Sequence, residues 1–176
     1  QWLWAWTFLI VAASVKEDAI LAVAAAGVWL LFRSTKGSPL YKGLPFGFWT
    51  PERKQGAIIL ISMLAYFVIA TQFIMPALGG GLLRLDRYAQ FGSTPAEIVS
   101  TIAHRPLLLI QTVFTPEKFA YLFWLFLPFA FLPLLAPSAL ILASPGLAEN
   151  LLTTTGAQFS GLYHYDAVLV PALFIA

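Results

Sequence analysis

Three short groups of polar residues interrupt an otherwise apolar chain, and their side chains could bind a charged ligand. The first is Ser14 to Asp18, the second lies between Arg84 and Lys118, and the third is Tyr163 to Asp166. Lysine and arginine donate charge-assisted hydrogen bonds to phosphate, and histidine exchanges protons near neutral pH. No phosphate-binding glycine loop, dinucleotide fingerprint or nucleophile elbow accompanies them. The residue types therefore indicate anion binding, with proton transfer as a second option.

The first group precedes an apolar segment and is typical of a helix start. Ser14 as N-cap and Glu17 at the third position would form a capping box, and acidic residues suit the positive end of the helix dipole. Lys16 does not fit this interpretation, because its cation opposes the dipole. A lysine beside free backbone N–H groups suits a phosphate, so Lys16 is a candidate phosphate ligand, and Glu17 and Asp18 are weaker candidates for a functional role.

The second group follows the flexible glycines 79–81. Thr94 to Glu97 is a capping box with proline at the first helical position, and it predicts a short interfacial helix over 95–104. Glu97 is favoured as a cap over a catalytic role. Arg87 and Arg105, with Tyr88, are candidates for contact with a phosphate or a sugar ring, although a basic residue at a membrane interface also contacts lipid head groups.

The third group combines aromatic and titratable residues. Tyr163 and Tyr165 would fit an aromatic belt at a membrane interface, and His164 with Asp166 could exchange a proton or a hydrogen bond. We take His164 and Tyr165 as candidates for substrate contact. The two histidines lack the number and spacing of a zinc site. No cofactor or metal site is predicted, and a divalent metal has no support in the sequence.

The composition places these groups on a membrane protein. Sixty per cent of the 176 residues are hydrophobic and 10% are charged, whereas about a quarter of the residues in a soluble domain are charged. Mean hydropathy is +0.82. The formal charge of +2 comes mostly from one loop, so it bears on membrane orientation and not on nucleic-acid binding. We predict an all-α, polytopic transmembrane helix bundle.

Several apolar segments are candidates for membrane spans, which need roughly 17 to 25 residues. Prolines interrupt the candidates 119–135 and 137–152, so the range 106–152 could instead hold one re-entrant element. The candidate spans are 19–32, 56–78, 119–135 and 137–152, with partial spans at 1–14 and 167–176.

The basic loop 33–55 sets the orientation. It carries five basic residues against Glu52 alone, and the positive-inside rule places it in the cytoplasm. Counting crossings from it puts Lys16, the loop 79–118 and the segment 153–166 on the exterior. The three polar groups would therefore share the non-cytoplasmic face of a membrane, which we expect to be the bacterial inner membrane.

Both ends of the chain lie in apolar runs, and the chain starts at Gln1 without a methionine. We expect it to be the C-terminal or central part of a longer protein.

Five ordered motifs are spread over nearly the whole chain. They are Val15-Lys16-Glu17-Asp18-Ala19, Arg87-Tyr88 with Gly92-Ser93 and Glu97-Ile98, Lys118 with Tyr121-Leu122, Pro128, Leu132-Pro133-Leu134 and Pro137, Pro145 with Asn150-Leu151-Leu152, and His164-Tyr165 with Pro171. Together they resemble a family of bacterial predicted membrane proteins, the domain of unknown function twenty seventy-nine, which is grouped with the GT-C glycosyltransferases.

The resemblance implies a site on the exterior face that transfers a sugar from a polyprenyl-phosphate donor. The acidic residue that GT-C enzymes use lies in their first exterior loop, which would precede Gln1, so no catalytic residue is assigned. Lys16 would bind the donor phosphate, with Arg87 and Arg105 as weaker candidates. Glu17, Tyr88, His164 and Tyr165 would contact the acceptor or sugar.

Two hypotheses follow for the function. The first hypothesis is that the chain is part of a GT-C-like glycosyltransferase, which contacts membrane lipids and binds a polyprenyl-phosphate-linked sugar. The alternative is a non-catalytic subunit that packs in a larger membrane complex, for which six Trp and fifteen Phe would supply contact area.

Overall fold

The computed structural model describes residues 2–33, 50–79 and 84–175, and every regular element in these ranges is helical. The all-α class predicted from the sequence is therefore confirmed. The α-helices are α1 (Trp2–Ala13), α2 (Glu17–Phe32), α3 (Pro51–Ile69), α4 (Pro95–His104), α5 (Pro106–Val113), α6 (Pro116–Phe126), α7 (Ser144–Leu152) and α8 (Leu169–Ile175).

Helix α3 is the longest element. Thr50 caps its start by accepting a hydrogen bond from the backbone N–H of Arg53 at 3.3 Å, and Pro51 occupies the first position, where no N–H is needed. A π-helical turn at Ala70–Ile74 and a last turn at Met75–Ala77 extend it. In the described part of the chain, Pro51–Ala77 is the one helix long and apolar enough to cross a membrane. The predicted span 56–78 falls on this helix.

Helices α2 and α3 pack through glycine. A Cβ added to Gly27 would lie 2.7 Å from the carbonyl oxygen of Gly56 and 2.7 Å from the backbone nitrogen of Leu60. Small residues at such a crossing let two helix backbones approach closely. Ile20 and Ile59 are buried in the core beside this crossing. Helices α2 and α3 together form the first of two packed halves of the described chain.

The second half consists of short helices separated by 3₁₀ turns. The range 119–135 contains most of α6 and the turns Leu127–Phe129 and Leu132–Leu135. Between those turns, Ala130 and Phe131 adopt the left-handed conformation, with φ of 49° and 59°. A second core, which includes Tyr121, Leu169 and Leu173, joins α6, α7 and α8.

The remaining predicted spans coincide with shorter elements. Segment 1–14 corresponds to α1, 19–32 to α2, 137–152 to a 3₁₀ turn followed by α7, and 167–176 to α8. How many times these elements cross the membrane stays a prediction. Most of the predicted cytoplasmic loop 33–55 lies outside the described residues.

Candidate functional site

The second and third polar groups meet through Arg87 and Tyr165. The Nη2 of Arg87 donates a hydrogen bond to the Tyr165 hydroxyl at 3.1 Å, and the guanidinium carbon lies 5.2 Å from the centre of the Tyr165 ring. His164 stacks on the same ring, with 4.8 Å between ring centres. A cation over an aromatic face is attracted by the ring quadrupole. Tyr165 therefore holds the guanidinium by its ring and by its hydroxyl.

The 3₁₀ turn Leu85–Tyr88 that carries Arg87 is fixed to the C-terminal end of α7. Phe91, only 2% exposed, anchors the segment that follows the turn. Hydrogen bonds tie this region to α7 and the residues after it: the Tyr88 hydroxyl donates to the Glu149 carbonyl at 3.2 Å, Gln90 Nε2 donates to the Leu152 carbonyl at 2.7 Å, and the Thr154 N–H and the Thr153 hydroxyl donate to the Arg87 carbonyl at 3.3 and 3.4 Å. The Arg87 backbone is therefore held in place before any ligand binds.

The pKa of Tyr88 reflects its burial and the groups around it, and Asp18 of the first polar group pairs with Lys16. Burial raises the pKa of the Tyr88 phenol; the Gln158 amide and the Arg87 charge lower it, and the charges of Glu149 and Asp18 raise it further. Of these influences on the Tyr88 pKa, the charge of Asp18 is the smallest. Its side chain is 15% exposed and accepts a hydrogen bond from Lys16 Nζ at 2.6 Å on Oδ2.

Several buried polar atoms have no hydrogen-bond partner in the described residues. In the described residues, Arg87 Nε, Asp18 Oδ1 and Gln158 Oε1 are buried without a partner, and Gln158 is only 3% exposed. Arg87 also forms no ion pair within these ranges. Buried polar groups are nearly always satisfied, so each of these three atoms calls for a partner. They comprise one donor, Arg87 Nε, and two acceptors, Asp18 Oδ1 and Gln158 Oε1.

The capping role predicted for Ser14 is wrong. The Ser14 hydroxyl donates to the Val11 carbonyl at 2.7 Å, and α2 begins after Lys16, the N-cap residue, whose side chain makes no capping bond. The ion pair with Asp18 offsets the unfavourable position of the Lys16 cation at a helix N-terminus. Lys16 keeps 46% of its side-chain surface exposed. The Glu17 side chain lies outside the described part of the structure.

The capping box predicted for α4 is present. The Thr94 hydroxyl accepts from the Glu97 N–H at 3.2 Å, while Glu97 Oε2 accepts from the Ser93 N–H at 2.8 Å and from the Ser93 hydroxyl at 2.9 Å. These bonds hold the pKa of Glu97 below its ordinary value. Gly92 is required beside them, because its φ is 147° and an added Cβ would lie 2.5 Å from the Glu97 Cβ. Glu97 is therefore occupied as a cap.

Arg105 does not join the group around Tyr88. It is exposed at the junction of α4 and α5, and no hydrogen bond or ring contact of the described residues connects it to Arg87. The preceding His104 is also local, since its Nδ1 lies 2.8 Å from the Ser100 carbonyl. Of the predicted binding residues, Arg87, Tyr88, His164 and Tyr165 come together, Lys16 pairs with Asp18, and Arg105 stands apart.

Asp166 pairs with residues that the sequence did not suggest. Its Oδ1 accepts from the Tyr121 hydroxyl at 2.6 Å and from Asn150 Nδ2 at 3.2 Å. The described contacts show no His164–Asp166 hydrogen bond, because His164 stacks on Tyr165 instead. Asp166 lines an open cleft of about 760 Å³ together with Glu117 and several aromatic side chains. The turn His164–Asp166 thus faces the Arg87 group on one side and this cleft on the other.

Lys118 is a buried cation with a structural role, and its position in the sequence does not indicate that role. It is 3% exposed, and its ammonium donates to the carbonyls of Thr112, Leu151 and Thr153 at 2.6, 2.5 and 2.9 Å. Burial lowers the pKa of Lys118, yet three acceptors require the three protons of the charged form. Lys118 therefore stabilises the C-terminal ends of α5 and α7 and is unavailable to a ligand.

No group of three or more histidine, aspartate or glutamate side chains in the described part of the chain is arranged to hold a metal ion.

Comparison with known proteins gives one informative result. The family model described as "Predicted membrane protein (DUF2079)" matches residues 1–176. Neither the curated proteins nor the solved structures give a significant match to the chain. A match over all residues, on a chain with an apolar helix of spanning length, supports a membrane protein. The chain therefore belongs to the family of predicted membrane proteins with the domain of unknown function DUF2079.

Proposed function

We propose that this protein is a GT-C-like glycosyltransferase of the bacterial inner membrane, and that Arg87 binds the phosphate of a polyprenyl-phosphate-linked sugar on the non-cytoplasmic face. The single observation that carries the proposal is the half-buried Arg87 guanidinium, which has no ion pair in the described residues and whose buried Nε has no partner. A partly buried cation is costly without an anion. A phosphate would supply that anion and accept two parallel hydrogen bonds.

The surroundings of Arg87 support this role. Tyr165 orients the guanidinium, and the Thr154 N–H bond to the Arg87 carbonyl fixes its backbone. A positioned cation stabilises charge that develops on a leaving phosphate without reorganising during the reaction. Lys16, which pairs with Asp18, is a further cation that we propose for the donor phosphate. Tyr88 and His164 border the same place, and the residue that activates the acceptor is not assigned.

Sugar transfer by the native membrane protein that contains this chain tests the proposal. The protein is reconstituted in lipid nanodiscs and assayed with radiolabelled polyprenyl-phosphate sugars. Arg87→Ala should lower kcat by about 100-fold or more, the usual effect of removing one donor to a developing anion. Arg84→Ala is the matched control: this exposed arginine of the same turn region pairs with Asp86 at 3.5 Å, and its loss should leave transfer within about twofold.

Two results would contradict the proposal. Full activity of the Arg87→Ala protein would remove the phosphate role. Absence of transfer from any polyprenyl-phosphate sugar, together with stable co-purification in a larger assembly, would favour the non-catalytic subunit. The exposed aromatic side chains of Trp4, Phe73 and Trp124 would suit contact with lipid or with neighbouring helices in either case.

A further inference from the structure

We infer that the open cleft between α6 and α8 binds an organic ammonium ion joined to an apolar body, and that Asp166 and Glu117 compensate its charge. This ligand goes beyond the proposed function, because neither Arg87 nor Tyr165 lines the cleft. The size of the cleft, its aromatic wall and its negative charge together indicate this class of molecule.

The cleft has the size and the lining of a small-molecule site. Its volume is about 760 Å³, and typical ligand pockets of roughly 300 to 1,000 Å³ are mostly apolar with a few polar groups. Glu117, Tyr121 and Trp124 of the lining follow at spacings of four and three residues, so they lie on one face of α6. Phe174 of α8 packs edge-on against Phe129, with 5.0 Å between the ring centres, and both rings line the cleft. Aromatic side chains on both sides therefore contribute to its wall.

Asp166 is held at this wall as an acceptor by two buried residues. The Tyr121 hydroxyl donates to its Oδ1 at 2.6 Å, and Asn150 Nδ2 donates to the same oxygen at 3.2 Å. Asn150 also donates to the Tyr121 hydroxyl at 2.9 Å, so the single proton of that hydroxyl is committed to Asp166. Both donors favour the ionised carboxyl group. The second oxygen, Oδ2, accepts no hydrogen bond from the described residues and keeps its capacity for a ligand.

The cleft carries negative charge without a matching cation. Glu117 supplies the second carboxylate, and its own backbone N–H and the Thr115 hydroxyl hold its pKa below the ordinary value. Within the described ranges, neither Glu117 nor Asp166 forms an ion pair, and no basic residue lines the cleft. The Lys118 ammonium lies 5.2 Å from the centre of the Phe159 ring, but it donates to three backbone carbonyls and is not free to pair. A cationic ligand would compensate both carboxylates.

The combination of charge and aromatic wall selects the class of cation. The two carboxylates would repel an anion, and a neutral polyol would leave both of their charges uncompensated. A metal ion would gain nothing from the aromatic wall. An ammonium group donates charge-assisted hydrogen bonds to carboxylates and is also attracted by the faces of aromatic rings. An apolar body on the same molecule would pack against the remaining wall of the cleft.

Three water-soluble probes with the same phenylethyl body test the inference. They are the cation 2-phenylethylammonium, its neutral analogue 2-phenylethanol and the anion 3-phenylpropanoate. Isothermal titration calorimetry measures their binding to the native membrane protein that contains this chain, in a maltoside detergent that has no ammonium group to compete. Wild type should bind the ammonium probe at least about tenfold more tightly than 2-phenylethanol, and the anion most weakly, because hydrogen bonds between charged groups are the stronger ones.

Two variants remove the carboxylates one at a time. Asp166→Asn should lower the affinity for the ammonium probe by about tenfold and leave that for 2-phenylethanol within about twofold of wild type. Glu117→Gln lies at an exposed position in the first turn of α6 and keeps the test available if Asp166→Asn does not fold. It should lower the same affinity by about threefold, because water screens an exposed carboxylate. The matched control is Asp86→Asn, which removes an exposed carboxylate that pairs with Arg84 and should bind all three probes as wild type does.

The outcomes are independent of the phosphate role of Arg87. A selective loss of the ammonium probe in either carboxylate variant supports the inference. No binding of that probe to wild type overturns it, and so does binding no tighter than that of 2-phenylethanol. An unchanged preference for the cation in both variants, or an equal loss of both probes, also overturns it. Arg87→Ala, which removes the proposed phosphate ligand, should not weaken binding of the ammonium probe.

Discussion

Replacement of Lys118 by methionine tests whether this buried cation holds the second half of the molecule together. The ammonium donates to the carbonyls of Thr112, Leu151 and Thr153. Thr112 and Leu151 lie in the last turns of α5 and α7, where helix carbonyls have no intrahelical partner. Methionine fills similar volume but donates no hydrogen bond. The variant therefore leaves three carbonyls unsatisfied at the place where both helices end.

The cost can be worked from these contacts. A buried acceptor that loses its partner costs about 1 to 3 kcal/mol, and carbonyls that move toward water cost the least. Three of them would cost about 3 to 9 kcal/mol if all stayed buried, and carbonyls that reach water bring the expected loss to the lower part of this range, about 3 to 5 kcal/mol. For a chain of this size that loss lowers Tm by roughly 6 to 20 °C.

Thermal unfolding in lipid nanodiscs, followed by tryptophan fluorescence, measures the effect. The matched control is Lys54→Met, which removes an exposed lysine in the first turn of α3 and should change the free energy of unfolding by less than about 0.5 kcal/mol. Equal Tm values for the Lys118→Met protein and wild type would refute the structural role. Lys118 would then be open to a ligand.

Two further predictions concern helix starts and helix packing. The pKa of Glu97 is lowered by the Ser93 donors, so its stabilisation is present above the unfolded pKa and lost as pH falls through the folded one. Glu97→Gln should have a lower Tm than wild type at pH 7, and the difference should shrink as the pH falls below the unfolded pKa of glutamate. A difference that stays constant with pH would contradict this. Gly27→Ala should destabilise the protein by about 2 kcal/mol through a clash with the α3 backbone, whereas Gly156→Ala, whose added Cβ has no atom within 4 Å, should unfold like wild type. Equal melting of the two alanine variants would show that α2 and α3 do not pack as described.

Local features of this chain could be predicted from the sequence because their causes are local. The Thr94 hydroxyl and Glu97 lie three residues apart, and their capping bond needs only that spacing. The all-α class follows from the apolar composition in the same way. The Ser14 prediction failed although its motif looked similar, because α1 continues to Ala13 and Ser14 lies in the turn that ends it, with its hydroxyl bound to the Val11 carbonyl.

The site depended on contacts that spacing does not encode. Arg87 and Tyr165 are 78 residues apart in the chain, and their hydrogen bond exists because α7 brings the two turns together. Topology alone predicted that the polar groups share a face, but it did not predict their partners. Lys118 binds backbone carbonyls, which every residue has, so no side-chain pattern could indicate its role.

The affinity of farnesyl phosphate for the wild-type and Arg87→Ala proteins tests directly whether Arg87 binds the donor phosphate. Both are titrated in phosphatidylcholine nanodiscs, where anionic lipid does not compete. We expect wild type to bind the probe and Arg87→Ala to weaken this binding by about 30-fold or more, since a charge-assisted bidentate contact is lost. Equal affinities would show that Arg87 does not bind the donor phosphate, and the glycosyltransferase proposal would lose the observation that carries it.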